Sequence, residues 1–483
     1  VVYNNQLRSN GSSIASITTL GVGEIIQVAY DPVSTASWIG RNNKWYDSSG
    51  TFTGNPATGA NPTLYIPDAF IYVHSYNAYV VDANFGQKPF KFPPPDGFQP
   101  SNAANVRPET VITRPDKYVA VTTYTGENNT RSIEIGMKPD LVWFKSRNNN
   151  YDNELYDSVR GATNRIYSNT TDTQSSFANG LTSFDYNGFS IGNRTNLNGS
   201  GSTMVAWTWK AGGNKGVFNV DDVGYASAAA AGLTAGTITL VGSSVGTKQG
   251  FSIIQYQGNG TAGAQVPHGL TQTPDLTIIK AIDSVTDGSW FVGGNWAPGY
   301  GRLLLHSTAH DNGSPGNVVA NDLWNNTAPT SSVVTLGGYN GVNDSGDDYI
   351  MYNWHNVPGL QKFGTYEGTG VAGNYVHLGF RPALIWIKSV DATSIQNWGI
   401  IDSTRSYANV GNHTLATNLS NPESYFGNGA SVFGPNNKID LLSDGFRLQE
   451  TSGFGNTSGI TFLYCAWAEA PSFNLYGGQS NAR

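Results

Sequence analysis

The sequence predicts an all-β protein built of tandem β-sandwich domains, jelly-roll or concanavalin-like in type. Three observations lead there. Charged residues make up 13% of the 483-residue chain, about half the usual share. In their place stand 58 Gly and 49 Asn beside 12% aromatics, so turn formers and strand formers dominate. One skeleton also recurs three times, and its turn signals fall at the roughly 8–12-residue spacing of short strands.

Each copy opens on a tyrosine strand and a glycine turn: Tyr124-Thr125-Gly126, Tyr256-Gln257-Gly258 and Tyr366-Glu367-Gly368. A Pro-led apolar run closed by lysine follows: Pro139 to Lys145, Pro274 to Lys280 and Pro382 to Lys388. Proline suits a strand start, where its missing N–H costs nothing. Such short apolar runs predict strands buried on both faces, with Trp143, Ile278 and Trp386 at equivalent buried positions. Asn187-Gly188 and Asp444-Gly445 predict hairpins in copies one and three. In copy two, Gly337-Gly338-Tyr339 diverges there. Each copy ends on an aromatic strand: Met204 to Trp209, Tyr349 to Trp354 and Phe462 to Trp467. Val205, Trp207 and Trp209 alternate onto one face. Trp143, Trp209, Trp354, Trp386 and Trp467 are therefore core candidates.

The expected organisation is a block at 1–98, a polar Pro-punctuated linker at 99–116, and sandwiches at 117–212, 249–357 and 358–471. A connector at 213–248 and a tail at 472–483 complete the chain. Val357-Pro358-Gly359 joins copies two and three tightly, so those two are expected to pack as a pair, with copy one hinged.

A net charge of −7 gives no electrostatic reason to bind nucleic acid or anionic lipid. No apolar stretch approaches the roughly 18 residues of a membrane span. The lone Cys465 cannot form an internal disulfide. Association is the alternative source of stability, and a homo-oligomer, a trimer first, is the expectation.

Residues 1–98 carry a different pattern: Glu24-Ile25-Ile26-Gln27-Val28, the hairpin segment Trp38 to Trp45 with Asn42-Asn43 at its turn, and Asn84-Phe85-Gly86-Gln87-Lys88-Pro89-Phe90. This resembles the C-terminal part of a SPRY domain, which implies that the other half lies upstream of Val1. The Gly54-Asn55-Pro56-Ala57-Thr58-Gly59 segment and the Pro93-Pro94-Pro95-Asp96-Gly97-Phe98 ending resemble SPRY-like modules of tailed-bacteriophage structural proteins. The repeats, with Asp157-Ser158-Val159-Arg160-Gly161 and the closing Asn481-Ala482-Arg483, resemble a module found there too. The resemblance implies a tail fibre or related protein on the virion surface, tail favoured over capsid. Its implied partners are other virion proteins and a host surface glycan.

Chemistry is sparse. No His-Glu-x-x-His, Gly-x-Ser-x-Gly or phosphate loop occurs in the sequence. His306 and His310, four apart, would suit a metal on a helix, but the surrounding Gly, Pro and Asn argue against one. No metal and no cofactor are expected. Asp157 and Asp402 each precede an Arg by three residues, which reads as a structural pair holding a loop. Asn343 to Asp348 reads as a polar turn. The reading is a non-enzymatic binding protein; its alternatives are a virion-borne polysaccharide depolymerase and a secreted adhesin or lectin. Trp290, Trp296, Trp324 and Trp398 lie in non-repeated Gly/Asn-rich stretches. They are the candidate glycan platform, since loops carry function on such scaffolds and sugars stack on aromatic faces.

Overall fold

The computed structural model describes residues 2–3, 6–9, 12–31, 34–66, 82–86, 88–101, 111–284, 287–297, 300–308, 320–390, 396–423, 438–451 and 455–471. They fall into two compact units, Val1–Glu109 and Thr110–Arg483. Among the described residues both are built of strands, with only short helical turns.

In the first unit, Ile26–Tyr30 pairs with Ala36–Arg41, which continues into Lys44–Trp45. The two turn residues, Asn42 and Asn43, both have positive φ (50° and 66°), as a two-residue hairpin turn that follows the strand twist requires. Asn tolerates this region better than most residues do. Glu24 accepts from Arg41 Nε at 2.9 Å. The Asn84 segment forms no strand among the described residues; Gly86 N donates to Asn84 Oδ1 at 3.0 Å.

In the second unit, each repeat is a sandwich of one large and one small sheet. The large sheets share one strand order. In the first repeat it runs Val119–Thr125, Thr203–Trp209, Leu141–Ser146, Glu154–Asp157, Asn164–Tyr167. In the second it runs Phe251–Gln257, Asp348–Trp354, Leu276–Ala281, Trp290–Gly294, Gly301–Leu304. In the third it runs Gln361–Glu367, Thr461–Pro471, Phe380–Ser389, Gly399–Asp402, Leu415–Ala416. Trp143, Ile278 and Trp386 sit in register opposite Trp207, Tyr352 and Cys465, and are 1%, 3% and 1% exposed. The Pro-led runs are buried on both faces, as their composition predicts.

One clasp closes each sandwich. Tyr124, Tyr256 and Tyr366 donate their hydroxyls to Leu197 O, Val342 O and Gly455 O at 2.7–2.8 Å. Buried Asn198, Asn343 and Asn456 accept, through Oδ1, the backbone N–H of Glu127, Asn259 and Thr369 at 3.0 Å each. The glycine two residues after each tyrosine is required by this approach. A Cβ on Gly126, Gly258 or Gly368 would stand 2.1 Å from a carbonyl oxygen.

Two expectations are corrected. The stretch 213–248 is no free connector: Phe218–Val220, Val223–Tyr225 and Leu240–Gly246 extend the second repeat's large sheet to eight strands. The first repeat is not hinged away from a packed pair, because the inner faces of all three large sheets line one hydrophobic core. Apolar area does not distinguish neighbours, so a repeat with an uncovered Trp207–Trp209 face buries it wherever a matching face exists. Part of the presumed linker joins this core: Ile112 is 7% exposed and its N–H donates to Pro358 O at 3.1 Å.

Candidate functional site

The three copies meet as a ring. Trp209, Trp354 and Trp467 occupy the same position on the final strand of their repeats. Their rings touch pairwise, with centroids 6.4, 5.4 and 6.2 Å apart, and so form a closed triangle. Trp386 packs 4.7 Å from Trp467, 5.9 Å from Trp209 and 5.2 Å from Trp143. Among the described residues the indole Nε1 atoms of these five tryptophans find no nitrogen or oxygen partner. Their edge-to-face packing is the compensation available, because it brings ring edges against π faces.

Around the triangle, equivalent residues of successive repeats make equivalent contacts. At one position of the large sheet, Trp290 Nε1 of the second repeat donates to Tyr167 O of the first at 2.7 Å. Trp398 Nε1 of the third donates to Leu304 O of the second at 2.9 Å. Asn153 of the first donates through Nδ2 to Ala416 O of the third at 3.2 Å, which closes the ring. The Asp–Arg pairs belong to the same seams. Asp157 takes Arg160 Nε at 2.5 Å and Tyr352 OH of the second repeat at 2.7 Å. Asp402 takes Arg405 Nε at 2.6 Å and Trp207 Nε1 of the first repeat at 3.0 Å. Glu423 adds Arg147 of the first repeat and His413. Burial opposes the Glu423 charge, but those donors and Arg405 hold its carboxyl far below the usual range. The third seam departs from the pattern. Gly294 stands where the others have Asp and Cys465 where they have Trp or Tyr. Trp296 fills that space, its ring 2.1 Å from where a Cβ on Gly294 would lie.

The lysines that close the Pro-led runs form a second ring. All three are buried, at 1%, 0% and 1% exposure. Lys145 donates to its own Tyr151 O and to Ser420 O of the third repeat, at 3.1 and 2.8 Å. Lys280 donates to its own Gly288 O and to Thr171 O of the first repeat. Lys388 donates to its own Gln396 O and to Thr308 O of the second, at 2.7 and 2.8 Å. Each ammonium thus ties its own repeat to the next, and among the described residues none has a carboxylate at ion-pair distance. Burial pushes Lys145 and Lys388 down to about 7 and Lys280 to about 8. The sign of the linkage follows. Between those values and the unfolded value of about 10.4, the unfolded chain holds protons that the folded chain lacks, so stability rises with pH. Glu450, pushed up to about 9 by burial, acts oppositely and only below that pH. The urea midpoint is expected to be higher at pH 9.5 than at pH 7.5; a flat or falling midpoint contradicts the lysine burial.

The tryptophans predicted as a glycan platform do not form one. Trp290 and Trp324 are 0% exposed and Trp398 is 1%. Trp290 lies in a strand, Trp398 directly before one, and Trp324 in a helical turn against Tyr300. Trp296 is half-buried against the shared core. The Gly-rich context that read as loop serves close packing: a Cβ on Gly293 would strike Tyr300 and Trp324. His306 is half-buried, its imidazole pushed down to about 4 by desolvation, and it accepts Trp290 N–H through Nδ1 at 3.2 Å. His310 lies outside the described residues. Of the predicted polar turn at 343–348, Ser345 and Gly346 form the turn, while Asn343 ends a helical turn and is buried and Asp348 opens a strand. In the first unit, an open cavity of about 350 Å³ is lined by Asp47, Thr53, Asn61 and Tyr65. The Asp47 carboxylate is already spent on Ser49, Thr51 and Thr53.

The sequence signal for the ring was the lysine itself. Its presence at one place in all three copies reads as a boundary charge, yet a merely solvated strand end does not need the same cation three times.

A family model described as a domain of unknown function (DUF7483) matches residues 114–471. No curated protein and no solved structure matches the chain.

Proposed function

Because the chain belongs to this DUF7483 family, a membership that carries no activity, we propose its function from its build and its sequence resemblances. It is a structural and binding component of a phage virion, a tail fibre whose rigid three-lobed body contacts the host surface glycan. The observation that supports this reading is the ring. Three sandwiches are locked through one tryptophan triangle, and the buried Asp157–Arg160 and Asp402–Arg405 pairs and lysines tie repeat to repeat. Charges used in this way carry load across seams rather than face a substrate. The resemblance of residues 1–98 and of the repeats to phage structural modules supplies the setting.

The test is adhesion. Fluorescently labelled chain, applied to a panel of bacterial strains, is expected to coat a subset of them and to compete with phage adsorption there, without releasing reducing sugar from their capsule or lipopolysaccharide. Multivalent display should raise apparent affinity by about 10²–10⁴. Release of reducing ends would replace this reading with a depolymerase. Failure to coat any strain would leave the body as a spacer within the particle.

A further inference from the structure

Within one chain, the same framework position is dressed in two ways. The small sheet of the first repeat carries a row of serines across its three strands, Ser132–Ser190–Ser183 in register. The fold is thus satisfied by small hydroxyls there. In the third repeat the equivalent row is Tyr375–Arg447–Asp440. Three changes in one row, all to residues with recognition chemistry, are not required by the sandwich.

Their geometry is ordered. Asp440 is buried beneath the row and its Oδ2 accepts from Arg447 Nη2 at 2.8 Å, Arg447 Nε at 3.2 Å and Gln449 Nε2 at 2.5 Å. This pins the guanidinium through Nε and Nη2, while the Arg447 side chain stays 43% exposed. Tyr375 is 43% exposed beside it, and its hydroxyl lies 3.2 Å from His377 Nδ1. His377 and Asp444, 3.9 Å apart, extend the patch with exposed side chains. The Asp440–Arg447 pair cancels its own charge. What remains is an aromatic face fixed on a strand, beside planar donors and acceptors already oriented by neighbours.

We propose that this Tyr375–Arg447 patch is a glycan-binding site, and that its ligand is an uncharged hexose unit of a surface polysaccharide. A sugar stacks its C–H face on the Tyr375 ring, as apolar and weakly polar edges do on aromatic faces. Its hydroxyls take the Arg447 guanidinium across the row and the exposed Asp444 carboxylate beside His377. Planar side chains held by their neighbours lose little entropy on binding, so even a shallow site discriminates. The inference rests on the attachment reading above and names its contact face.

The probe is a printed array of bacterial capsular and O-chain polysaccharides, read with the intact chain. Wild-type protein is expected to bind a subset of neutral polysaccharides, with signal nearly independent of salt up to about 0.5 M, where charge-driven adhesion would be screened. Tyr375→Ser, which restores the side chain of the first repeat, should cut binding at least tenfold, and Arg447→Ser similarly. Tyr186→Ser, at a 92% exposed hairpin tip, should leave it unchanged. Circular dichroism and the thermal midpoint confirm folding; should Arg447→Ser unfold through loss of its Asp440 pair, Tyr375→Ser alone decides. Wild-type binding that survives Tyr375→Ser overturns this site but not the attachment reading. Absence of wild-type binding to the array and to cells overturns both.

Discussion

Trp209→Ala is expected to destabilise the entire Thr110–Arg483 unit by about 4 kcal/mol, within the range for removing a fully buried large aromatic, and in a single transition. Trp209 is 1% exposed and touches Trp354, Trp386 and Trp467, so its removal opens a void against all three repeats at once. The surrounding rings are themselves wedged edge to face and have little room to collapse. Differential scanning calorimetry checks both parts. Two resolved transitions, with one repeat melting ahead of the others, would show that the repeats are stable separately and that the triangle merely decorates their contact.

Asp402→Ala is expected to cost about 3–5 kcal/mol, the usual penalty for stripping one partner from a buried ion pair. Arg405 and Asp402 side chains are both 0% exposed. Without the carboxylate, Arg405 Nε, the Arg405 backbone N–H and Trp207 Nε1 all lose their acceptor. Glu423 still faces Arg405 Nη1 at 2.8 Å and limits the damage. Replacing both partners, Asp402→Leu with Arg405→Met, should recover much of the loss, because no charge is then stranded. Equilibrium denaturation of the three proteins checks this. A double variant as weak as the single one would mean that packing volume, not the stranded guanidinium, sets the cost.

The sandwiches were legible because their signals are local. A proline, five apolar residues and a lysine describe a doubly buried strand, and Trp143, Ile278 and Trp386 fell into equivalent places accordingly. Asn187-Gly188 and Asp444-Gly445 each begin a strand in the small sheets. The ring was not legible, because periodicity reports that a face is buried and not by what. The inner faces bearing Trp209, Trp354 and Trp467 would read the same if each were covered by its own small sheet. Trp290 and Trp398 were misplaced for a related reason. Their glycine- and asparagine-rich neighbours signal turns, yet these indoles span seams to carbonyls more than 90 residues away in sequence. The expected connector at 213–248 hid three strands of the second repeat's sheet, because they are short and flanked by small residues that carry no strand period. The Tyr375–Arg447 patch was invisible for want of an alignment of the strands: its meaning emerges only when Tyr375 and Ser132 are seen at one framework position.

The closed triangle also dictates an order of events during synthesis. Contacts between the first and third repeats, such as Trp207 to Asp402 and Lys145 to Ser420, join residues 195 and 275 positions apart. A ribosome making this chain delivers the first sandwich long before the strand that covers its tryptophan face. Until Trp467 emerges, Trp207 and Trp209 lie against an incomplete ring. The second repeat reaches the first one first, Trp354 against Trp209 and the Tyr352 hydroxyl on Asp157. Completion is therefore a single late step in which the last strand seals what the first two repeats left open. A truncation anywhere before residue 461 produces an apolar, strand-rich body with an open seam, the kind of species that associates with its own copies.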